Sequence, residues 1–466
     1  MDQDHQVAAR ATQKKQVEYG NSEFYQDLIK ARALSLKGKS AYGYYADAYF
    51  TTVTNVLESL PEGYKTPEGF DPKNNNVRMQ VFMRHPGGCL VAGVDLALAI
   101  ISNGMTEQGL KNVKVSAIDD GTWVPYSGMA NDVTPVIDII GPYRYFTELE
   151  TTYLGLLARC TRVANNVLEC LEASNGTPVL FFPERFDSYS VQEMDGYAYW
   201  MAVKFYNKEH GTNLPVIVSS PASAGLFGSN GKNQGSTPHA LIASFKKNEV
   251  EAMLMFGQYT DPNIKRIFLA DFNNDVKGST LIVAKEYWQR WLAAWKRDGW
   301  WNNEDLKRWR LWGIRIDTGA TLIDKTMQEL DQREGGVSPM LVLTMRNFLD
   351  NELPEILKDE TTDTETYQIL IEWCKSLSIT VTGGFGPSKI QRFESGASIS
   401  KSRIPVNAYG VGSGMLKNDT SFDFTADLAE MEFKGRWPYW TPISKVGRAP
   451  NYNPNVRIVN FDDYLV

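Results

Sequence analysis

From about residue 176 onward, short apolar runs alternate with longer stretches of helical periodicity, and this alternation limits the folds open to the chain. The runs are PVLFF, PVIVSS, AMLMF, RIFLA, LIVAK, WGIRI and SITVTG. Strands that alternate with helices predict a mainly parallel sheet whose two faces are both covered.

Charged residues and glycines follow several of these predicted strands. In chain order they are Glu184 and Arg185 after PVLFF, Asp271 after RIFLA, Arg315 and Asp317 at the end of WGIRI, Gly383 and Gly384 after SITVT, and Gly412 and Ser413 after a further segment, IPVNAYG. At a single strand end, polar residues are explained by the chain leaving the core, and they do not require a functional site. Five such ends are typical of an α/β barrel active site, whose last Gly-rich loops commonly bind a phosphate.

The composition is that of an ordinary globular protein. The chain has 466 residues, 43% of them hydrophobic and 22% charged, which predicts two or three domains. A net charge of -7 argues against a general nucleic-acid binder. No apolar run reaches roughly 18 residues, so no membrane span is expected. Four cysteines without a C-x-x-C pair, and a polar first segment, favour a reducing cytoplasm.

The segment GSTPHALIASF, residues 235–245, places a histidine at a predicted helix start. Ser236 or Thr237 is expected to cap the helix, with Pro238 at the first helical position. His239 then lies in the first turn, where unpaired backbone N–H groups favour a neutral imidazole and a nearby anion. A solvated surface histidine is the alternative.

The tract EYWQRWLAAWKRDGWWNNEDLKRWRLW is rich in tryptophan. Trp288, Trp291, Leu292 and Trp295 recur at helical spacing, so they predict one buried helix face. Stacking on a single-stranded nucleic acid is the alternative, which the acidic charge disfavours.

Six motifs occur in a fixed order along the chain: FFPERF, GSTPHALIASF, FLADFNNDV, GIRIDTG, TVTGGF and NAYGVGSGML. The segments YYADAYFTTVTNVLES and FDFTADLAEMEFKGRWPYWTPISKVGR precede and follow them. In this order the motifs resemble those of the nicotinate phosphoribosyltransferases, and the resemblance covers nearly the whole chain.

The resemblance implies a type II phosphoribosyltransferase fold, an irregular TIM-like α/β barrel with a flanking α/β domain formed by both chain ends. We place the flanking domain at residues 1–175 and 417–466, and the barrel at residues 176–416. The resemblance also implies a homodimer in which two subunits complete each other's active sites.

The implied reaction joins nicotinate to phosphoribosyl pyrophosphate, giving nicotinate mononucleotide and pyrophosphate for NAD biosynthesis. The family uses Mg²⁺ and couples the reaction to ATP, a co-substrate, through a phosphorylated histidine, which His239 matches. Nicotinamide phosphoribosyltransferase is one alternative. A non-catalytic relative that binds a nucleotide is the other.

The family's functional residues transfer to matching positions here. His239, Asp271, Arg315 and Asp317 match catalytic residues, with Asp271 and Asp317 also expected to orient magnesium. A flat pyridine ring binds well between aromatic faces. The residues matched to the base are Tyr49, Phe182 and Arg185. The residues matched to the ribose and phosphates are Gly383, Gly384, Gly412, Ser413, Lys445 and Arg448. The alternatives are core packing for Tyr49 and Phe182, a surface ion pair for Arg185, and an acidic strand end without a role for Asp271.

The choice of base is predicted from FGSNGK, where Ser229 and Asn230 would donate hydrogen bonds to a carboxylate. Nicotinamide-using relatives carry an aspartate in the corresponding turn, so the sequence predicts nicotinate. Three positions depart from the family pattern. Glu184 stands where nicotinate enzymes often have an arginine, and Thr318 and Ala320 replace a serine and an aspartate.

Overall fold

The computed structural model describes residues 43–225, 236–299, 304–358, 363–400, 402–434 and 439–465. Within these ranges no helix is long and apolar enough to cross a membrane. Two large sheets organise this part of the chain, one parallel and one antiparallel. The strands are β1 (Asn76–Met83), β2 (Cys89–Val91), β3 (Lys114–Ala117), β4 (Thr122–Val124), β5 (Ile137–Pro142), β6 (Val179–Phe181), β7 (Arg266–Leu269), β8 (Leu311–Ile316), β9 (Ser378–Val381), β10 (Ala408–Val411), β11 (Phe424–Phe433), β12 (Tyr439–Pro442) and β13 (Arg457–Ile458).

Helices connect and cover the strands. They are α1 (Ala48–Ser59), α2 (Val94–Gly104), α3 (Glu107–Asn112), α4 (Glu150–Ala173), α5 (Gln192–His210), α6 (Pro221–Ala224), α7 (His239–Ser244), α8 (Glu249–Tyr259), α9 (Val276–Asp298), α10 (Glu304–Trp309), α11 (Lys325–Glu329), α12 (Pro339–Asn347), α13 (Leu353–Leu357), α14 (Thr364–Lys375) and α15 (Pro387–Glu394). A π-helical turn, Phe348–Glu352, links α12 to α13.

The parallel sheet has the order β6-β10-β9-β8-β7. Parallel bridges extend both of its edges, from Phe181 to Val218 and from Ile267 to Ser236. Side chains from both edges and from the central strands line one common cavity. The sheet therefore curves around this cavity, as the predicted irregular α/β barrel requires.

The antiparallel sheet has the order β12-β11-β1-β5-β3-β13. Its strands come from residues 76–142 and from residues 424–458, so both ends of the chain build it. This is the flanking α/β layer expected from the sequence. The strands of the two sheets lie on opposite sides of the predicted boundaries at residues 175 and 417, and the boundaries themselves stay a prediction.

Helix α4 connects the two sheets. In its last turns, Asn166 donates to the carbonyl oxygens of Met415 (3.1 Å) and Lys417 (3.0 Å), which follow β10. In the separate two-stranded sheet β2-β4, the N–H of Leu90 donates to Asn165 Oδ1 at 3.0 Å, and Asn165 Nδ2 donates to the carbonyl oxygen of Leu90 at 2.8 Å. Buried amides satisfied in this way fix the helix against the segment after β10 and against β2.

Three of the predicted strands are wrong. AMLMF lies in α8 and LIVAK in α9. Asn248 and Asp275 cap these two helices, each accepting a hydrogen bond from a backbone N–H three residues on. A short apolar run is compatible with a buried helix as well as with a strand. The capping residues Asn248 and Asp275 indicate that these two runs are helical. PVIVSS contributes only the bridge at Val218.

The expected cap of the histidine helix is also wrong. Helix α7 begins at His239, with Pro238 as its N-cap and no side-chain cap. Ser236 and Thr237 extend the sheet instead, because Thr237 Oγ1 accepts from the N–H of Leu269 at 3.0 Å. His239 is thus the first helical residue.

The tryptophan face of α9 is buried as predicted. Trp288 is fully buried, with its ring 5.5 Å from Trp291 and 5.4 Å from Trp373 of α14. Trp295 stacks on Trp291 at 6.5 Å. Packing, as opposed to nucleic-acid stacking, accounts for this face.

We expect Trp288→Ala to destabilise the protein by about 3–5 kcal/mol, because it removes a buried indole and leaves a cavity. Urea unfolding followed by circular dichroism measures the change. Tyr259→Ala is the matched control, since Tyr259 is 82% exposed. Equal effects of the two substitutions would contradict this packing.

Candidate active site

A cavity of about 690 Å³ lies at the carboxyl ends of the parallel strands. Its base is apolar, and its rim carries charged residues, serines and glycines. The apolar residues include Leu180, Val218, Phe256, Ile264 and Ile267. The rim includes Glu184, Arg185, Ser219, Ser236, Arg315, Asp317, Gly383, Gly384, Gly412 and Ser413. An apolar cavity with a few convergent polar groups is typical of a small-molecule site.

Arg315 is a half-buried cation of this cavity. Its Nη1 donates to Ser236 Oγ at 2.6 Å, and its Nη2 lies 3.7 Å from Asp317 Oδ2. Its Nε is buried and has no hydrogen-bond partner among the residues that the structure describes. Burial lowers the pKa of Arg315, while Asp317 and Asp271 oppose that shift. A guanidinium remains charged even so, and an unpaired N–H in a cavity is suited to an anionic ligand.

Asp317 faces the loop of Gly383 and Gly384. Gly383 has φ +87°, and a Cβ placed there would lie 3.1 Å from Asp317 Oδ1. Only glycine adopts this backbone without strain so close to a carboxylate. Below the loop, Lys389 Nζ donates to the carbonyl of Gly383 at 3.1 Å. Burial lowers the pKa of Lys389. No pattern in the sequence predicts this support, because Lys389 has the setting of an ordinary helical lysine.

The segment after β6 carries Phe182, Arg185 and Phe186 into the cavity. Arg159 of α4 anchors this segment: its Nη2 donates to Asp187 and to Asp195 at 2.8 Å each, and its Nε donates to Asp195 at 2.8 Å. A forked guanidinium that bridges two carboxylates fixes both partners. Helix α4 therefore positions the segment that bears Arg185.

His239 and Asp271 form a pair next to the cavity, which Pro238 also lines. His239 Nε2 lies 3.3 Å from Asp271 Oδ2. The imidazole is half exposed and the carboxyl group is buried, with side-chain exposures of 46% and 7%. Burial raises the pKa of Asp271, which the neighbouring His239 opposes. The pair joins an accessible nitrogen to a buried carboxyl group that orients it.

The predicted magnesium residues are two carboxylates. Among the residues that the structure describes, no group of three or more His, Cys, Asp or Glu is arranged to hold a metal. Mg²⁺ is commonly held by one or two carboxylates together with substrate phosphates. Asp271 Oδ1 is buried and has no hydrogen-bond partner in the described part of the chain, and Asp317 is near enough to raise the pKa of Asp271. Asp271 and Asp317 fit an ion that arrives with phosphates.

Five predicted residues are not placed at the cavity. Ser229 and Asn230 lie outside the described residues. Tyr49 is 61% exposed on α1, and its hydroxyl donates to Asp47 at 3.1 Å. Arg448 pairs with Asp427 of β11. Neither Tyr49, Lys445 nor Arg448 lines the cavity of a single chain.

Three rim residues were missing from the predicted site: Glu184, Ser219 and Ser236. Ser219 lies at the end of the predicted run PVIVSS, so the rule that identifies the other strand ends applies to it. The pattern around Ser236 indicates a helix cap. Glu184 follows the predicted strand PVLFF, but the resemblance assigns it no role and only marks it as a departure from the family pattern.

Comparisons with known proteins agree with this architecture. Residues 47–161 match the model of the quinolinate phosphoribosyl transferase N-terminal domain. The fold is similar to that of nicotinate-nucleotide pyrophosphorylase from Pyrococcus furiosus, with a TM-score of 0.54 and 21% identity over 93% of this chain and 84% of that one. Human nicotinic acid phosphoribosyltransferase aligns more weakly, with a TM-score of 0.44 and 14% identity over 83% and 74% of the two chains. No curated protein matches the sequence. Residues 47–161 are thus similar to that N-terminal domain, and the chain shares the fold of the Pyrococcus furiosus protein.

We expect Arg315→Lys to weaken binding of magnesium pyrophosphate by about tenfold or more, because lysine keeps the charge and loses the fork that spans Ser236 and Asp317. Isothermal titration calorimetry measures the affinity. Arg310→Lys is the matched control, because the Arg310 guanidinium packs on Trp312 at 4.0 Å and does not line the cavity. Equal affinities of the two variants would contradict a role for Arg315 in anion binding.

Proposed function

We propose that the chain transfers the phosphoribosyl group of phosphoribosyl pyrophosphate to a pyridine base. The observation that carries this proposal is Arg315, a half-buried guanidinium beside Asp317 and the Gly383-Gly384 loop, whose buried Nε has no hydrogen-bond partner among the described residues. In the transfer, the ring nitrogen of the base forms a bond to the anomeric carbon, and the bond from that carbon to pyrophosphate breaks. The charge of the leaving pyrophosphate calls for a fixed cation, which Arg315 supplies.

Each part of the cavity has a role in this reaction. Asp317 lies where it would accept hydrogen bonds from ribose hydroxyls, next to Gly383. Gly412 and Ser413 follow β10, where backbone N–H groups suit the 5′-phosphate. Phe182 offers an aromatic face to the pyridine. Magnesium, held by Asp271, Asp317 and the substrate phosphates, would neutralise the charge of the pyrophosphate.

We also propose that His239 couples the reaction to ATP. When the Nε2–H group donates a hydrogen bond to Asp271, Nδ1 keeps a lone pair. Nδ1 then bonds to the γ-phosphorus of ATP while the bond from that phosphorus to ADP breaks, and ADP leaves. Water later cleaves the N–P bond and releases phosphate. His239 opens helix α7, so the free N–H groups of the first turn favour the added negative charge.

The test is mononucleotide formation by the purified protein with magnesium and phosphoribosyl pyrophosphate. Nicotinate, which the sequence predicts, nicotinamide and quinolinate are compared with and without ATP. Quinolinate is included because the domain match bears its name. We expect turnover with one base and stimulation by ATP. Binding of phosphoribosyl pyrophosphate without turnover of any base would instead support a non-catalytic relative.

His239→Ala should remain folded and lose most of the stimulation by ATP, because one half-exposed side chain contributes little to stability. Basal transfer without ATP should persist. His210→Ala is the matched control: His210 is also accessible, and it pairs with Glu172 at 2.8 Å on the outer helices. Full ATP stimulation in the His239 variant would refute the phosphohistidine.

A homodimer with shared sites would explain why Tyr49, Lys445 and Arg448 do not line the cavity of their own chain. Tyr49, Lys445 and Arg448 lie on the flanking layer, and Tyr49 is exposed. We propose that each subunit presents them to the cavity of its partner. The base would then bind between Phe182 of one chain and Tyr49 of the other.

Mixing two inactive variants tests the shared site. Tyr49→Ala and Arg315→Ala should each be nearly inactive alone. After subunit exchange, half of the dimers are hybrids with one intact site in two, so activity should recover to about a quarter of wild type in a symmetric dimer. A dimer that forms hybrids without recovering activity would contradict the shared site.

A further inference from the structure

Glu184 is an acidic residue at the rim of a cavity whose predicted ligand is anionic. It begins the short turn Glu184–Phe186 after β6, and it lines the cavity with Ser219. Among the described residues, no Lys or Arg forms an ion pair with its carboxylate. The two cations near it, Arg185 and Arg315, are close enough to each other for Arg185 to lower the pKa of Arg315.

The carboxylate of Glu184 is held in place by Ser219. The backbone N–H of Ser219 donates to Oε1 at 3.0 Å, and its hydroxyl donates to Oε2. A carboxylate has about four acceptor positions, so about two remain after these bonds. Glu184 is therefore an oriented acceptor with capacity left for a ligand.

Phe182 is the aromatic face that the cavity offers to a base. Gly410 leaves room for its ring, since a Cβ on Gly410 would lie 2.9 Å from Phe182 Cδ2. Arg315, Asp317 and the two Gly-rich loops line the same cavity and suit phosphoribosyl pyrophosphate. Glu184 lies two residues beyond Phe182 and also lines this cavity. Glu184 is therefore one of the polar groups that the ring substituent of a pyridine on Phe182 could meet.

We propose that Glu184 is a specificity-determining residue that selects a neutral pyridine carboxamide over a pyridine carboxylate. The inference rests on the proposed phosphoribosyl transfer, and it replaces the prediction of nicotinate made from Ser229 and Asn230. A carboxamide N–H₂ donates to the open positions of the Glu184 carboxylate. A substrate carboxylate in the same place meets a like charge.

The two arginines that line the cavity each have another contact. Arg315 is engaged by Ser236 and Asp317, and its remaining Nε suits the pyrophosphate. Arg185 projects over Phe186, with its guanidinium 5.3 Å from that ring. A site with an oriented acceptor discriminates strongly against a ligand that lacks the matching donor.

The experiment compares kcat/KM for nicotinamide and nicotinate in wild type, Glu184→Gln and Glu68→Gln. Wild type should prefer nicotinamide. Glu184→Gln removes the charge and should lower the nicotinamide-to-nicotinate ratio by about tenfold or more, chiefly by improving nicotinate. Glu68→Gln, which removes an exposed carboxylate outside the cavity, should leave the ratio unchanged.

Two further measurements keep the outcome decisive. Ser219→Ala retains the charge of Glu184 and should retain the preference for nicotinamide. Calorimetric titration of both bases onto wild-type protein loaded with phosphoribosyl pyrophosphate reads selectivity without turnover. A wild-type preference for nicotinate, or an unchanged ratio in active Glu184→Gln, overturns the role of Glu184 and leaves the transfer reaction standing. Failure of every base to bind or react instead contradicts the proposed function.

Discussion

The parallel pairing of five short strands is the constraint on which the site depends. Parallel strands have their carboxyl ends at the same edge of the sheet. Residues that are distant in sequence therefore meet at this edge, although no local sequence pattern predicts that they do. Arg315, Gly383 and Gly412 follow or end three different strands and line the same cavity. The antiparallel layer contributes indirectly, through α4, whose Arg159 and Asn166 hold the segments that follow β6 and β10.

The sequence was most informative where a strand ended in a residue with a distinct chemical role. Asp271, Arg315 and Gly383 were all found in this way, and the structure places them at or beside the cavity. It was least informative for short apolar runs. AMLMF and LIVAK are equally apolar in a helix or a strand, and only the capping Asn248 and Asp275 distinguish the two. Those caps lie outside the runs, so a window centred on the run does not include them.

Interactions between distant residues account for the rest of what the sequence did not predict. Serine is a residue type that commonly caps helices, yet the hydroxyl oxygen of Ser236 accepts a hydrogen bond from Arg315 across the barrel. Lys389 is an ordinary helical residue until the fold brings it beneath Gly383. Glu184 was seen as a departure from a family pattern, and only its bonds to Ser219 reveal an oriented acceptor. Each of these depends on a partner at least six residues away, and in two cases more than thirty.

The proposed function requires the strand-end cavity to bind phosphoribosyl pyrophosphate. Hydrogen–deuterium exchange with and without magnesium phosphoribosyl pyrophosphate measures this binding, because backbone N–H groups that bind a phosphate exchange more slowly. We expect slower exchange at residues 382–386 and 410–416, with the antiparallel strands β3 and β13 unchanged. Binding that slows exchange only outside the cavity, or no change at either loop under saturating ligand, would contradict it.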